Sequence, residues 1–226
     1  MRLPLRRKRA LLVGAIIAVF GLWYFRSYGG PLGPYLFSSS APESHWFKLP
    51  ERYPVSSTIP LPTGEPISIP KIQASPRSED AAARKERLRR RAAVQESFLH
   101  CWKNYKNQAW MKDELLPISG GGRNNFGGWG ATLVDSLDTL WIMDMKDDFE
   151  TAVKASGLID FTTTTDEVIN VFETTIRYLG GFLAAYDLSE AKYPLLLQKA
   201  TEVGDLLMSC FDTPNRMPIT RWNWHA

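Results

Sequence analysis

Two side chains of opposite charge stand one helical turn apart in an otherwise apolar stretch. They are Glu173 and Arg177, in the segment Val168-Ile-Asn-Val-Phe-Glu-Thr-Thr-Ile-Arg-Tyr-Leu-Gly-Gly181. At 100° per residue, Asn170, Glu173, Arg177, Gly180 and Ala184 fall on one face. An acid, a fixed donor and little bulk suit the wall of a ligand cavity. A carboxylate there can move a proton, and a guanidinium can position a polar substrate. The same spacing also suits a plain (i, i+4) ion pair on a solvated face. A second pair of acids, Asp135 and Asp138, interrupts an apolar run containing Leu133, Val134, Leu137, Leu140 and Trp141. Two acids in such a helix cost stability unless they are paired, solvated or functional. Asp138 lies on the flank of that helix's apolar face and Asp135 nearly opposite it.

Other candidates carry less. Gly120-Gly-Gly-Arg-Asn-Asn-Phe-Gly-Gly-Trp-Gly130 lacks the spacing of a phosphate loop and follows no strand. It reads as a tight loop shaping a cavity mouth, or as a flexible connection. His45, His100 and His225 have no metal-ligand spacing, and neither a CxxC nor an HExxH occurs. Cys101 and Cys210 are equally compatible with a disulfide and with two separate thiols. Trp102, Tyr105, Trp110, Trp129, Trp141, Trp222 and Trp224 make this part of the chain rich in aromatics. Such rings stack on sugar faces, although most belong in a core.

Helices must position these groups. Amphipathic periodicity predicts them over 80–106, 129–145, 148–157, 167–187 and 193–211, with no alternating strand pattern and no internal repeat. Along the last-but-one of these, Val168, Phe172, Ile176, Leu179, Leu183 and Tyr186 form an apolar stripe expected to face the core. Short Gly, Pro and Asn loops between segments predict helical hairpins.

The N-terminal part has a different character. Residues 1–9 hold Arg2, Arg6, Arg7, Lys8 and Arg9, and an uncharged run over 10–25 follows, ending in Trp23-Tyr-Phe25 and then Arg26. A basic flank, an apolar run of near-spanning length and interfacial aromatics predict a transmembrane signal-anchor. The basic tail is then cytosolic and the remainder lumenal, a single-pass type II arrangement. From 26 to 77 the chain is rich in Pro and Ser: ten of its fifteen prolines lie between Pro31 and Pro76. No apolar period survives there, which predicts an extended stem. Residues 78–226 then form the globular part. The basic run Arg84–Arg91 invites a nucleic-acid reading, but the topology excludes that partner and leaves a solvated helix. The formal net charge of +3 is accounted for by the tail.

Three long motifs carry a family resemblance. They are Phe126-Gly-Gly-Trp-Gly-Ala-Thr-Leu-Val-Asp-Ser-Leu-Asp-Thr-Leu-Trp-Ile-Met143, Val171-Phe-Glu-Thr-Thr-Ile-Arg-Tyr-Leu-Gly-Gly181 and Phe211-Asp-Thr-Pro-Asn-Arg-Met-Pro-Ile-Thr-Arg-Trp222. Together with Trp102-Lys-Asn-Tyr105 and Ala109-Trp-Met-Lys-Asp-Glu-Leu115, they closely resemble class I alpha-1,2-mannosidases, glycoside hydrolase family 47. The resemblance implies an all-α fold, an (α/α)7 barrel of which this chain holds the first helical hairpins. It implies hydrolysis of alpha-1,2-linked mannose from high-mannose N-glycans in the Golgi or endoplasmic reticulum, with inversion and with bound Ca2+. Inversion places two carboxyl groups about 6.5–9.5 Å apart. By motif, Glu173 matches the catalytic acid, acting through a water, and Arg177 matches a glycan contact. Asp135 and Asp138 match substrate-binding acids. The family domain is much longer than this stretch. Its second half holds the remaining carboxylates and the calcium-ligating threonine, so no metal ligand is expected here and the chain is expected to be an inactive N-terminal portion. A non-catalytic relative that binds mannose glycans in quality control is the alternative.

Overall fold

The computed structural model describes residues 45–65, 67–75 and 77–224. The basic tail, the expected anchor over 10–25 and the first part of the stem lie outside these residues. Among the described residues, no helix is long and apolar enough to cross a membrane.

Helix α1, Ala81–Gln108, is built from strong helix formers and begins where Asp80 accepts a hydrogen bond from Ala83 N at 2.7 Å. Its first half is exposed. Its second half buries Trp102 and Tyr105, which pack with Phe98 and Trp110 at ring separations of 5.7–6.2 Å. Met111, with φ 64°, turns the chain into β1, Glu114–Leu115, which pairs antiparallel with β2, Gly122–Arg123.

The expected helix over 129–145 is two short ones, α2 (Ala131–Asp135) and α3 (Leu137–Ile142), broken at Ser136. Helix α4 spans Lys146–Ser156. Strand β3 (Ile169–Asn170) pairs antiparallel with β4 (Arg221–Trp222), Ile169 opposite Trp222. Out of β3 runs a single helical rod. Its first turn is α5, Val171–Thr174; it widens into a π-helical turn at Thr175–Leu179 and continues as α6, Gly180–Leu188. Helix α7, Pro194–Met208, starts with proline in its first turn, where no backbone N–H is needed, and ends in a 3₁₀ turn at Ser209–Phe211. The all-α class holds, since the four strands among the described residues have only two residues each.

Helix α6 packs against α7 and α3. Leu133, Leu137, Leu140, Phe149, Phe182 and Leu196 are fully buried there, each contributing about 1.5–3 kcal/mol. Close approach of the rod to α2 depends on Gly181: a Cβ there would stand 3.0 Å from Val134 Cγ1 and 3.2 Å from Val134 O.

The predicted core stripe of this rod is not its core face. Phe172, Ile176 and Leu183 are 64%, 50% and 38% exposed, whereas Val171, Thr174, Tyr178, Phe182 and Ala185 are buried. The buried residues keep a three- and four-residue spacing from Val171 to Ala185, so the rod carries two apolar faces and the wheel alone does not choose between them. Tyr178 can face inward because its hydroxyl donates to Phe126 O at 2.7 Å. Beside the buried face lie Glu173 and Arg177.

Part of the expected stem docks on the body. Trp46 N donates to Thr162 O at 2.7 Å, and the Trp46 ring meets Trp222 edge-on. Farther along, the backbone N–H groups of Arg52 and Tyr53 donate to the two Asp212 carboxylate oxygens at 2.7 and 2.8 Å. Both cysteines are free. Cys101 is exposed, and burial pushes the Cys210 thiol up to about 12.

Candidate active site

Asp113 organises the loop that faces the helical rod. It is 1% exposed and pairs with no cation among the described residues. One carboxylate oxygen accepts from Phe126 N at 2.7 Å and Gly128 N at 2.9 Å; the other accepts from Ala131 N at 3.1 Å, with the Tyr178 hydroxyl 3.3 Å away. Three backbone amides thus do for this carboxylate what a counter-ion would otherwise do. The loop is pinned on its far side as well. Asp166 accepts from Gly127 N at 2.9 Å, and Trp129 Nε1 donates to Thr163 O at 2.6 Å. Gly128 has φ 78°, and a Cβ on it would meet Thr165 Cγ2 at 2.7 Å. The glycines therefore let the chain fold tightly around Asp113, and no phosphate cradle is needed to explain them.

The pinned loop delivers Phe126. Its ring lies under the guanidinium of Arg177, 4.5 Å from ring centroid to guanidinium carbon. Arg177 then joins two elements. Its Nε donates to Glu173 Oε2 at 2.8 Å within the rod, and its Nη1 donates to Asp135 Oδ2 at 2.6 Å at the end of α2. All three side chains are about one quarter to one third exposed. Burial opposes the charge on Arg177, but the two carboxylates outweigh it and hold the guanidinium above its ordinary value. Asp135 goes the other way for a carboxylate. Desolvation raises it, and the charges of Asp138 and Glu173 add to that, against the lowering effect of Arg177. The backbone of Glu173 is tied down too, since its N–H donates to Asn170 Oδ1 at 3.3 Å, capping the rod.

The structure thus brings Glu173, Arg177 and Asp135 into one network, and the (i, i+4) pair is real but half-buried. Asp138 stands outside the hydrogen bonding of that network. It is half-buried and accepts from Thr139 Oγ1 at 3.2 Å, although its charge reaches Asp135. Sequence reasoning passed over Asp113 and Phe126 as site residues. Both stand inside the family motifs, but nothing in their spacing says that one folds the loop and the other supports Arg177. Most of the tryptophans serve the core, with Trp102 and Trp129 only 2% and 3% exposed.

Calcium takes six to eight oxygens. No cluster of three or more His, Cys, Asp or Glu side chains able to hold a metal exists among the described residues. Asp135 and Glu173 are moreover committed to Arg177. These residues do not form a calcium cradle.

Relatives share this region. A mannosyl-oligosaccharide 1,2-alpha-mannosidase of Arabidopsis thaliana is 45% identical over 130 residues, covering 57% of this chain and 22% of the relative. The endoplasmic reticulum mannosyl-oligosaccharide 1,2-alpha-mannosidase of Rattus norvegicus is 44% identical over 138 residues, 59% of this chain and 20% of the relative. A mannosyl-oligosaccharide alpha-1,2-mannosidase of Penicillium citrinum is 36% identical over 192 residues, 78% of this chain and 35% of the relative. The chain therefore spans about a fifth to a third of the length of the curated relatives it matches. Residues 97–226, which hold Asp113, Phe126, Asp135, Glu173 and Arg177, match the profile of glycosyl hydrolase family 47, and the chain belongs to that family.

Proposed function

We propose that this chain supplies part of the active site of a mannosyl-oligosaccharide 1,2-alpha-mannosidase that trims alpha-1,2-linked mannose from high-mannose N-glycans. The observation that carries the reading is the Asp135–Arg177–Glu173 network, half-open to solvent and inside the family-matched residues. Glu173 is the proton donor, acting through a water. Its Oε2 is held by Arg177, which fixes the carboxyl group in one orientation and leaves Oε1 for the water. Arg177, supported by Asp135 and Phe126, presents its outer edge to glycan hydroxyls beyond the cleaved bond. Asp135 and Asp138 complete a polar rim for the sugar. Inversion requires a second carboxylate far enough from Glu173 to admit a water, about 6.5–9.5 Å. That base, and the oxygens that hold calcium, come from residues beyond those described. The ion, when bound, supplies a fixed positive charge against sugar hydroxyls.

The names of relatives called endoplasmic reticulum enzymes support a place in the secretory pathway. The basic tail over 1–9, the apolar run over 10–25 and the Pro/Ser-rich 26–77 support a type II anchor and stem, with 78–226 in the lumen of the endoplasmic reticulum or Golgi.

The test is made on the protein at the full length of its relatives, incubated with a high-mannose glycan. A general acid contributes about 10²–10⁴-fold, so Glu173→Gln should lower kcat by that order while glycan binding persists. Arg177→Ala should act mainly on binding or on which branch is trimmed. Near-normal kcat for Glu173→Gln would reduce Glu173 to half of a structural ion pair. Glycan binding without mannose release by the unsubstituted protein would favour the quality-control binding relative.

A further inference from the structure

We propose that the arginine cluster in the first half of α1 is a cleavage site for an endoprotease that reads clustered arginines, cutting between Arg90 and Arg91. The run Arg84-Lys-Glu-Arg-Leu-Arg-Arg-Arg91 has no part in the sugar site. It lies outside the family-matched residues 97–226 and touches none of Asp135, Glu173 and Arg177. Arg87, Arg89 and Arg90 have side chains 56%, 68% and 74% exposed, and among the described residues they pair with Glu79 and Glu86 of the same stretch. Such exposed pairs weigh little against a protease pocket.

An endoprotease needs its substrate as an extended strand, paired along the backbone with its own cleft. A helix must therefore unwind first. From Ala81 to Val94 nothing is buried, and the first buried side chain of α1 is Trp102. Unwinding that stretch exposes no core and belongs to the cheapest class of local opening. Once extended, Arg87-Leu88-Arg89-Arg90 offers guanidinium forks at the residue before the cut and at the second and fourth places before it. Carboxylate-lined pockets bind such forks in two-point fashion. Water then adds across the Arg90–Arg91 peptide bond. The C–N bond breaks, the oxygen of water completes a carboxyl group on Arg90, and a proton goes to the nitrogen of Arg91, the new N-terminus. The product 91–226 retains Phe98, Trp102 and Tyr105, the residues that anchor α1 to the body, and the whole family-matched region.

The full chain would be incubated with a purified subtilisin-like endoprotease of paired-basic specificity, and the fragments weighed by mass spectrometry. The expected product in this region starts at Arg91. Arg87→Ala and Arg90→Ala should each slow its appearance about tenfold or more, the worth of a lost charged hydrogen bond, with the circular dichroism of the chain unchanged. Asp80→Ala, which removes the cap on Ala83 N, should speed it, because the cut passes through the unwound helix. Resistance of the folded chain to a dose that cuts the isolated 84–93 peptide would overturn the proposal. Equal rates for the two arginine variants and the unsubstituted chain would do the same.

Discussion

Asp113→Ala should come close to unfolding the body. The carboxylate is 1% exposed and receives Phe126 N, Gly128 N and Ala131 N at 2.7–3.1 Å. Alanine leaves those three backbone donors in a space from which water was excluded. Each unsatisfied buried donor costs about 1–3 kcal/mol. Some relaxation is expected, because a water can enter the emptied space and meet two of the donors. A loss of about 4 kcal/mol follows, a large part of the roughly 5–15 kcal/mol that holds a domain together. Asparagine separates charge from shape. Its amide oxygen can take the place of the oxygen that serves Phe126 and Gly128, but its NH₂ group then confronts Ala131 N–H, donor against donor. The expected loss for Asp113→Asn is about 2 kcal/mol. Urea unfolding followed by tryptophan fluorescence measures both, with the m-value checking that the transition keeps its size. Phe126 should also leave the face of Arg177 in both variants, because Asp113 holds its backbone. A loss below about 1 kcal/mol for Asp113→Ala would refute the reasoning and return Asp113 to the status of an incidental loop acid.

Two further expectations concern the docked stem segment around Trp46–Tyr53 and the rod. Hydrogen bonds from the Arg52 and Tyr53 backbone lower Asp212, and the Thr162 hydroxyl, helped by His45, lowers Asp160. Both folded values lie below the unfolded ones, so this support is present above the unfolded aspartate pKa and is lost as pH falls through the folded values. Amide protection of Trp46, Arg52 and Tyr53 should therefore hold at neutral pH and decline progressively below about pH 4; protection of Arg52 and Tyr53 left undiminished at neutral pH by Asp212→Asn would contradict this. Gly181→Ala should destabilise by about 1 kcal/mol, as overpacking does, in place of the gain of about 1 kcal/mol that glycine-to-alanine brings in an open helix. The Cβ would press on fully buried Val134, and a raised Tm would show that α2 can yield.

Class and most of the helices are legible in the order of residues. Periodicity over 80–106, 148–157 and 193–211 is answered by helices at Ala81–Gln108, Lys146–Ser156 and Pro194–Met208. Ala81–Gln108 is built from strong helix formers, and Lys146–Ser156 and Pro194–Met208 each bury one consistent face, so a 100° step suffices to describe those two. Glu173 and Arg177 were legible for the same reason, being one turn apart in one helix. Asp135 became their partner only in three dimensions, because 42 residues separate it from Arg177 and no local period links the two. Tertiary structure also decided which face of the rod is buried. Both faces of the rod carry apolar residues at helical spacing, and the face holding Tyr178 turns inward because a carbonyl from the glycine loop accepts its hydroxyl. That loop is the clearest limit on sequence reading. Its glycines announce tight turns, but its shape comes from Asp113, a carboxylate satisfied by amides up to eighteen residues away. Hydrogen bonds between segments, and the choice between two apolar faces, depend on where distant groups arrive in space, which the order of residues along one helix does not encode.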